Sequence, residues 1–336
     1  MKPTLLITGG AGYIGSHTAL LMAHKGYNVV ILDTLVHKQS FNYPWATLIK
    51  SDFAHKKTLG EIFKTYKVDA VMHFAASIDI GESVRNPKAF YANNVTKTLQ
   101  LIDTMRAHDV KKFIFSSSCA VYGQPEQLPL TEDHPKRPIN PYGSTKLITE
   151  LALQDYALAY DFSYVALRYF NAAGALPEHN LGERHEPETH LIPLLLRAAK
   201  TNTPFKIFGS DYPTPDGTCI RDFLHVWDIA RAHAQALEHL NKNLPSDVFN
   251  IGTGSGVSVK QMIETVERIC DVSIKIELCK NRPGDPPHLV ASADKAHTIL
   301  QWEARHSLLE NIIKSAYIFE YGLPMPMSLG IPIISI

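Results

Sequence analysis

Near the start of the chain an apolar run, Leu5-Leu6-Ile7-Thr8, gives way to Gly9-Gly10-Ala11-Gly12-Tyr13-Ile14-Gly15, and a helical pattern follows to residue 25. Glycines at 9, 12 and 15 let the backbone turn tightly and approach a bulky anion. The helix that opens there offers free N–H groups and the positive end of its dipole. Alone, such a spacing is only a glycine turn. Between a buried strand and a helix it is the pyrophosphate cradle of a doubly wound α/β fold. The next apolar run, 28–33, ends on Asp33, about 20 residues further on. A carboxylate there accepts from both ribose hydroxyls of an adenosine and repels a 2′-phosphate, which favours NAD over NADP.

The strand–helix alternation continues. Residues 68–74, 111–116 and 162–170 read as strands. A helix after Pro87 places Val95, Leu99, Ile102 and Met105 on one face, and Asn140-Pro141 reads as the N-cap and N1 pair of another, reaching about residue 160. The expected fold is therefore α/β: a Rossmann-type doubly wound parallel sheet, with a smaller, irregular α/β C-terminal domain. The pattern loosens after Asn171. From there we expect a helix over 191–200, a helix capped by Asp228, a strand over 248–251, and a capping box at Ser258 and Gln261 opening a helix to Cys270. The boundary falls near 171. Asp52, ending the strand before Phe53, is read either as a partner of the adenine amino group or as a solvated loop carboxylate.

Lys plus Arg and Asp plus Glu both total 33, so no basic field suits nucleic acid or an anionic membrane. An anionic ligand must be met by a local site. Four scattered cysteines read as free thiols of a reducing compartment, and the opening residues carry no signal-peptide core. The cytoplasm is the expected location. The tail 331–336 reads as a strand-like or docking end.

Tyr142 and Lys146 form Y-x-x-x-K at a helix start, on one helical face. A free tyrosine is a poor base at neutral pH, whereas a nearby ammonium and a positive nicotinamide ring both favour the phenolate. Such a pair can take a proton from a sugar hydroxyl while hydride leaves the same carbon. The strand ending Ser116-Ser117-Ser118 would bring hydroxyls to the same carboxyl edge of the sheet.

These residues, with His73-Phe74-Ala75-Ala76, Asn93-Asn94-Val95, Val121-Tyr122-Gly123 and Leu167-Arg168-Tyr169-Phe170-Asn171, resemble the extended short-chain dehydrogenase/reductase superfamily. Phe208-Gly209-Ser210-Asp211-Tyr212-Pro213, Arg221-Asp222-Phe223 and Arg282-Pro283-Gly284-Asp285 narrow the resemblance to the UDP-glucose 4-epimerase family, across nearly the whole chain. The resemblance implies NAD-dependent interconversion of UDP-galactose and UDP-glucose. Hydride is abstracted at C4, a 4-keto sugar turns over, and hydride returns to its other face. It implies Tyr142, Lys146 and Ser118 as catalytic residues. It implies Gly9, Gly12, Tyr13, Ile14, Gly15, Asp33, Asp52, Phe53, Phe74, Ala75, Asn94, Ser116, Tyr142, Lys146 and Tyr169 about the cofactor. About the UDP-hexose it implies Ser118, Tyr142, Asn171, His190, Leu191, Phe208, Arg221, Arg282, Asp285 and Leu289. NAD then belongs to residues 1–171, rejoined by segments near 222–252, and the UDP-sugar mainly to 172–336. A homodimer is implied through helices about 87–108 and 141–160.

Two departures matter. Ile78 stands where some members carry a lysine. Leu289 stands at a size gate beside the sugar, where tyrosine blocks N-acetylhexosamines and a small residue admits them. Other readings are weighed against this one. A 4,6-dehydratase needs an acid and a base after the site hydroxyl, and Cys119 and Ala120 stand there. Epimerisation of UDP-N-acetylhexosamine or UDP-glucuronate stays open. A non-catalytic NAD-sensing regulator would have no need of Tyr142, Lys146 and Ser118 together. His185-Glu186-Pro187-Glu188-Thr189-His190 invites a metal reading, but Pro187 disfavours the helix a zincin needs, so a substrate-domain loop and no metal are expected.

Overall fold

The computed structural model describes residues 2–36, 43–185, 187–281 and 286–322. The first half runs β1 (Thr4–Thr8), α1 (Tyr13–His24), β2 (Asn28–Asp33), β3 (Ala46–Lys50), α2 (Lys56–Tyr66), β4 (Val68–His73), α3 (Ile80–Arg85) and α4 (Pro87–Tyr91). A π-helical turn (Ala92–Thr96), α5 (Lys97–Ala107), β5 (Lys112–Ser116), a 3₁₀ turn (Cys119–Val121), α6 (Pro141–Ala159) and β6 (Ser163–Tyr169) complete it. The second half holds β7 (Asn171–Ala173), α7 (Leu191–Thr201), β8 (Phe205–Phe208), β9 (Ile220–Arg221), β10 (Phe223–His225), α8 (Val226–Asn241) and β11 (Asp247–Ile251). It ends with β12 (Val257–Ser258), α9 (Val259–Cys270), β13 (Ile276–Cys279), β14 (His288–Leu289) and α10 (Leu309–Tyr321).

Seven strands form one sheet in the order β11-β6-β5-β4-β1-β2-β3, and every pairing is parallel. Strand alternation divides its apolar side chains between two cores. Leu5, Ile7, Val29 and Ile31 face α1 and α8, while Leu6, Val30, Leu32, Phe113 and Phe115 face α2, α5 and α6. The strand order reverses between β1 and β4, so the carboxyl ends of β1, β4 and β5 border the crevice where such sheets take ligands. A third core joins α7, α9 and α10 through Leu195, Leu196, Met262, Ile263, Ile312 and Ile313. β11 returns from the second half to the sheet edge, and α8 covers it.

Two expectations change. The helix after Pro87 is interrupted by the π turn, and the buried face runs through Asn94, Thr98, Leu101, Ile102 and Met105 instead of Val95 and Leu99. The polar residues earn the inner positions by hydrogen bonding: Thr98 Oγ1 meets His73 Nε2 at 3.0 Å, and Asn94 ties down Ser77. Asp228 is not the cap of α8. His225 is, its ring nitrogen accepting from Trp227 N at 3.1 Å, while Asp228 is buried one turn in and holds His306 and Ser307. The capping box at Ser258 and Gln261 forms as expected, with α9 ending at Cys270. The tail 331–336 lies outside the described residues. Among the described residues, no helix is long and apolar enough to cross a membrane.

Candidate active site

The glycine loop joins β1 to α1 and packs against the end of β4. Gly9 has φ +70°, and a Cβ there would lie 2.5 Å from Ala75 N; at Gly15 it would lie 2.2 Å from Gly9 O. No larger residue fits either place. Gly12 caps α1 without a side chain, so the first-turn N–H groups keep their capacity for an anion. Tyr13 donates to Gly174 O at 2.6 Å, and Ile14 packs on the core beneath. The Asp33 carboxylate is fixed by Ala11 N at 3.0 Å and Leu35 N at 2.8 Å, which holds it against the loop. These features fit a dinucleotide: a tight turn, open donors for its diphosphate, and a fixed acceptor for its ribose.

Asp52 is partly exposed but not alone. It pairs with Lys97 at 2.5 Å and accepts from Ala54 N at 2.9 Å; these contacts bring its pKa below the usual carboxylate value despite the opposing effect of partial burial. Phe53 is buried against His73. Phe74 lies 4.5 Å from the His233 ring, and Ala75 N donates to Thr8 O. Asn94 enters through the π turn, a recurrent feature of functional helices. It accepts from Ser77 N at 2.8 Å and donates to Ser77 O and Thr145 Oγ1.

α6 carries both Tyr142 and Lys146. Asn140 accepts from Gly143 N at 2.8 Å and Pro141 stands at N1, so Tyr142 lies in the first turn and Lys146 one turn on. Lys146 is 4% exposed and donates to Ser116 O at 2.8 Å. Burial pulls its pKa down to about 7, with Glu150 opposing. Burial pushes Tyr142 up to about 12, and a hydrogen bond with Ser118 draws it partly back. The expected lowering of Tyr142 by Lys146 is therefore absent from the chain by itself. Desolvation sets the direction of the shift, and the ammonium turns to the Ser116 carbonyl, 5.8 Å from the Tyr142 ring centre. Ser118 caps the 3₁₀ turn, accepting from Ala120 N. The Ser116 and Tyr169 hydroxyls bond to each other, and burial raises the Tyr169 pKa. Burial likewise pushes the Cys119 thiol up to about 12, which makes it a poor nucleophile. All four cysteines are free.

A network behind this pair was not anticipated. Glu150, one turn beyond Lys146, forms a buried two-pronged ion pair with Arg168 at 2.5 and 2.9 Å and accepts from Ser117 Oγ at 2.5 Å. Arg168 also donates to Tyr122 Oη, which donates to Asn250. The signal was legible: 142, 146 and 150 share a helical face. Asp222 is a second such residue. Buried between Arg221 and Phe223, it accepts from Thr253 N, Thr253 Oγ1 and Ala291 N, and so fastens two loops.

The remaining candidates stand on short elements. Asn171 opens β7, with its N–H bonded to Asp222 O. Arg221 lies on β9, donates to Ile220 O, and its charge reaches Cys119 and His288. Phe208 ends β8, half-buried. Leu289, on β14, packs against the cluster of Val121, Tyr122, Leu130, Phe170 and Ala291, the same cluster that Cys119, the residue after Ser118, packs against. His190 precedes α7, and Leu191 begins it. Arg282 and Asp285 lie outside the described residues.

Fold and site define an NAD-dependent enzyme: a dinucleotide cradle and a Tyr–Lys–Ser group, its lysine buried, share one sheet edge. The chain belongs to the NAD dependent epimerase/dehydratase family, which it matches over residues 5–252. Within that family its relatives are UDP-glucose 4-epimerases. The enzyme of Rhizobium meliloti (strain 1021) is 47% identical over 305 residues, 90% of this chain and 93% of its own. Among solved structures, UDP-glucose 4-epimerase from Brucella ovis in complex with NAD superposes with a TM-score of 0.92 at 44% identity, covering 96% of this chain and 100% of that one. The UDP-Glc/GlcNAc 4-epimerase of Campylobacter jejuni follows at 41% identity and TM-score 0.82, covering 95% and 99%.

Proposed function

We propose that the chain interconverts UDP-galactose and UDP-glucose by inverting C4 of the hexose. The observation that carries this reading is the group of half-buried Tyr142 and Ser118 with buried Lys146, with Cys119 and Ala120 beside it, where water expulsion would need an acid and a base. The glycine loop, Asp33, Asn94 and Lys146 would hold NAD, which when bound supplies a reversible hydride acceptor and a positive ring. Tyr142 takes the O4 proton and returns it, with Ser118 bonded to both partners of that transfer. Burial strengthens every charge interaction that lowers the Tyr142 pKa once substrate and cofactor exclude water. Arg221 and Arg282 suit a diphosphate through paired N–H donors, and Asn171, His190, Leu191, Phe208, Asp285 and Leu289 would surround the rest of the UDP-hexose.

We assign NAD to residues 1–171 with the returning segment near 222–252, and the UDP-sugar mainly to 172–336. A homodimer through α5 and α6 accounts for an apolar surface that includes Leu151, Tyr160 and the 80%-exposed Leu158. Free thiols favour a cytoplasmic location. Use of N-acetylated UDP-hexoses is a second reading, supported by Leu289 and the bifunctional Campylobacter jejuni relative.

The test is conversion of UDP-galactose by purified protein without added NAD. UDP-glucose should appear, and Tyr142→Phe should retain bound NAD while turnover falls by about 10²–10⁴-fold. No conversion of any UDP-hexose overturns the function; a Tyr142→Phe loss under tenfold overturns the assigned base.

A further inference from the structure

The loop ahead of α7 gathers four metal-ligating side chains that take no part in the proposed proton and hydride transfer, His190 among them lying where the nucleotide-sugar would be held. Ligand atoms of Glu183, His185, Glu188 and His190 all lie within 4.8 Å of one another. His190 Nδ1 is 2.9 Å from Glu183 Oε1 and 2.8 Å from Glu188 Oε1, and His185 Nδ1 is 3.4 Å from Glu183 Oε1. The two carboxylates are only 10% and 5% exposed. Two buried negative charges therefore converge on imidazole nitrogens, an arrangement that costs free energy unless positive charge is supplied. The neighbouring cation, Arg184, extends elsewhere, donating to Asn180 Oδ1 and lying over the Phe319 ring.

We propose that Glu183, His185, Glu188 and His190 form a structural site for a divalent transition-metal ion, zinc foremost. Two imidazoles with two carboxylates suit zinc, whereas magnesium and calcium take oxygen ligands. Tetrahedral zinc with bonds of about 2.0–2.2 Å holds neighbouring ligand atoms roughly 3.3–3.5 Å apart. The present separations bracket that spacing, so binding spreads the two closest contacts and draws in the widest pair. Pro187 indeed prevents the helix that presents paired histidines in zincins, but a loop closes the same set without one. Both ends of that loop are pinned. Leu176 and Leu181 exchange backbone hydrogen bonds, Gly182 sits where an added Cβ would lie 2.3 Å from the Phe319 ring, and α7 begins at Leu191. Thr189 N and His190 N donate at 2.7 and 2.8 Å to Glu188 Oε1, the oxygen that also meets His190 Nδ1, and so fix the orientation of that carboxylate. The charge of Glu183 and Glu188 also reaches the Tyr13 phenol, so the ion would clasp this loop beside the glycine loop. The His190 imidazole is then committed to the ion, and its backbone remains for the nucleotide.

The rival occupant is a single proton on His190 shared by the two carboxylates, and metal titration separates the two. Tag-free protein with its NAD retained is stripped with chelator and titrated with Zn²⁺, then with Co²⁺. One equivalent should bind, and cobalt should give tetrahedral d–d absorption without a thiolate charge-transfer band. His185→Ala with Glu188→Gln should weaken zinc binding by about a hundredfold or more. Absence of stoichiometric uptake, a thiolate band, or unchanged affinity in that variant overturns the site. The wild-type cobalt spectrum decides the matter by itself if the variant does not fold.

Discussion

The two sides of the candidate active site are built differently. Tyr142, Lys146, Ser116 and Ser118 stand at the ends of a long helix and a central strand, backed by Glu150, Arg168, Tyr122 and Asn250. Arg221 and Leu289 stand on two-residue strands paired with each other, and Phe208 ends a four-residue strand. The chemical side is held by regular elements and buried ionic contacts, and the nucleotide-sugar side by short pairings and Asp222. On the proposed assignment, chemistry that tolerates little displacement would sit on the stiff part, and contacts to the sugar where sequence can vary without unfolding the sheet.

Acid should expose the difference most strongly. Burial lowers the pKa of His17 and His233 to about 4, and of His73 and His225 to about 3. His17, His73 and His233 lie on α1, β4 and α8 about the seven-stranded sheet, and His225 on β10 meets Ser315 of α10. The unfolded chain binds these protons near pH 6.5 and the folded chain does not, so stability is full above 6.5 and falls as pH drops. Together they contribute a slope on the order of 5 kcal/mol per pH unit, against a total stability of about 5–15 kcal/mol. Circular dichroism should show cooperative unfolding between about pH 5.5 and 4, and His233→Leu should make the transition shallower. A stability flat from pH 6.5 to 5 would remove the histidines from the account.

The Glu150–Arg168 pair gives a smaller effect within the same half. Arg168→Met leaves a buried carboxylate unpaired and should cost about 3–5 kcal/mol, read from denaturant midpoints. Adding Glu150→Leu should recover much of that loss. Equal losses in the single and double variants would mean that Arg168 stabilises by packing and not by neutralising Glu150.

The same contrast explains what was readable beforehand. Periodicity and glycine spacing located β1, α1, β2, α6 and the capping box of α9 because each repeats a local rule over several turns or strand positions. β9 and β14 repeat nothing; two residues carry no period, and their pairing joins segments some seventy positions apart in the sequence. Asn94 was recognisable only through the resemblance, because the π turn shifts the helix face by a residue and leaves the apolar spacing intact. Glu183, His185, Glu188 and His190 escape the same kind of rule, because helical ligand spacing does not describe side chains that a turn brings together.

The smallest expected effect falls on Leu289, and it bears most directly on the contrast. Leu289 packs against the cluster of Val121, Tyr122, Leu130, Phe170 and Ala291, which Cys119, the neighbour of Ser118 in sequence, also joins. A pocket wall changed by a few methylene volumes discriminates by about 1–3 kcal/mol, or 10–200-fold. Leu289→Tyr should therefore lower kcat/KM for UDP-N-acetylgalactosamine within that range while leaving UDP-galactose nearly unchanged, and Leu289→Ala should shift the ratio the other way. Neither should alter NAD retention, since the cofactor cradle draws on β1, α1 and β2. If both substrates lose activity equally, Leu289 acts through the cluster beneath the Ser118 turn. The nucleotide-sugar side would then be coupled to the chemical side as tightly as Glu150 is to Lys146.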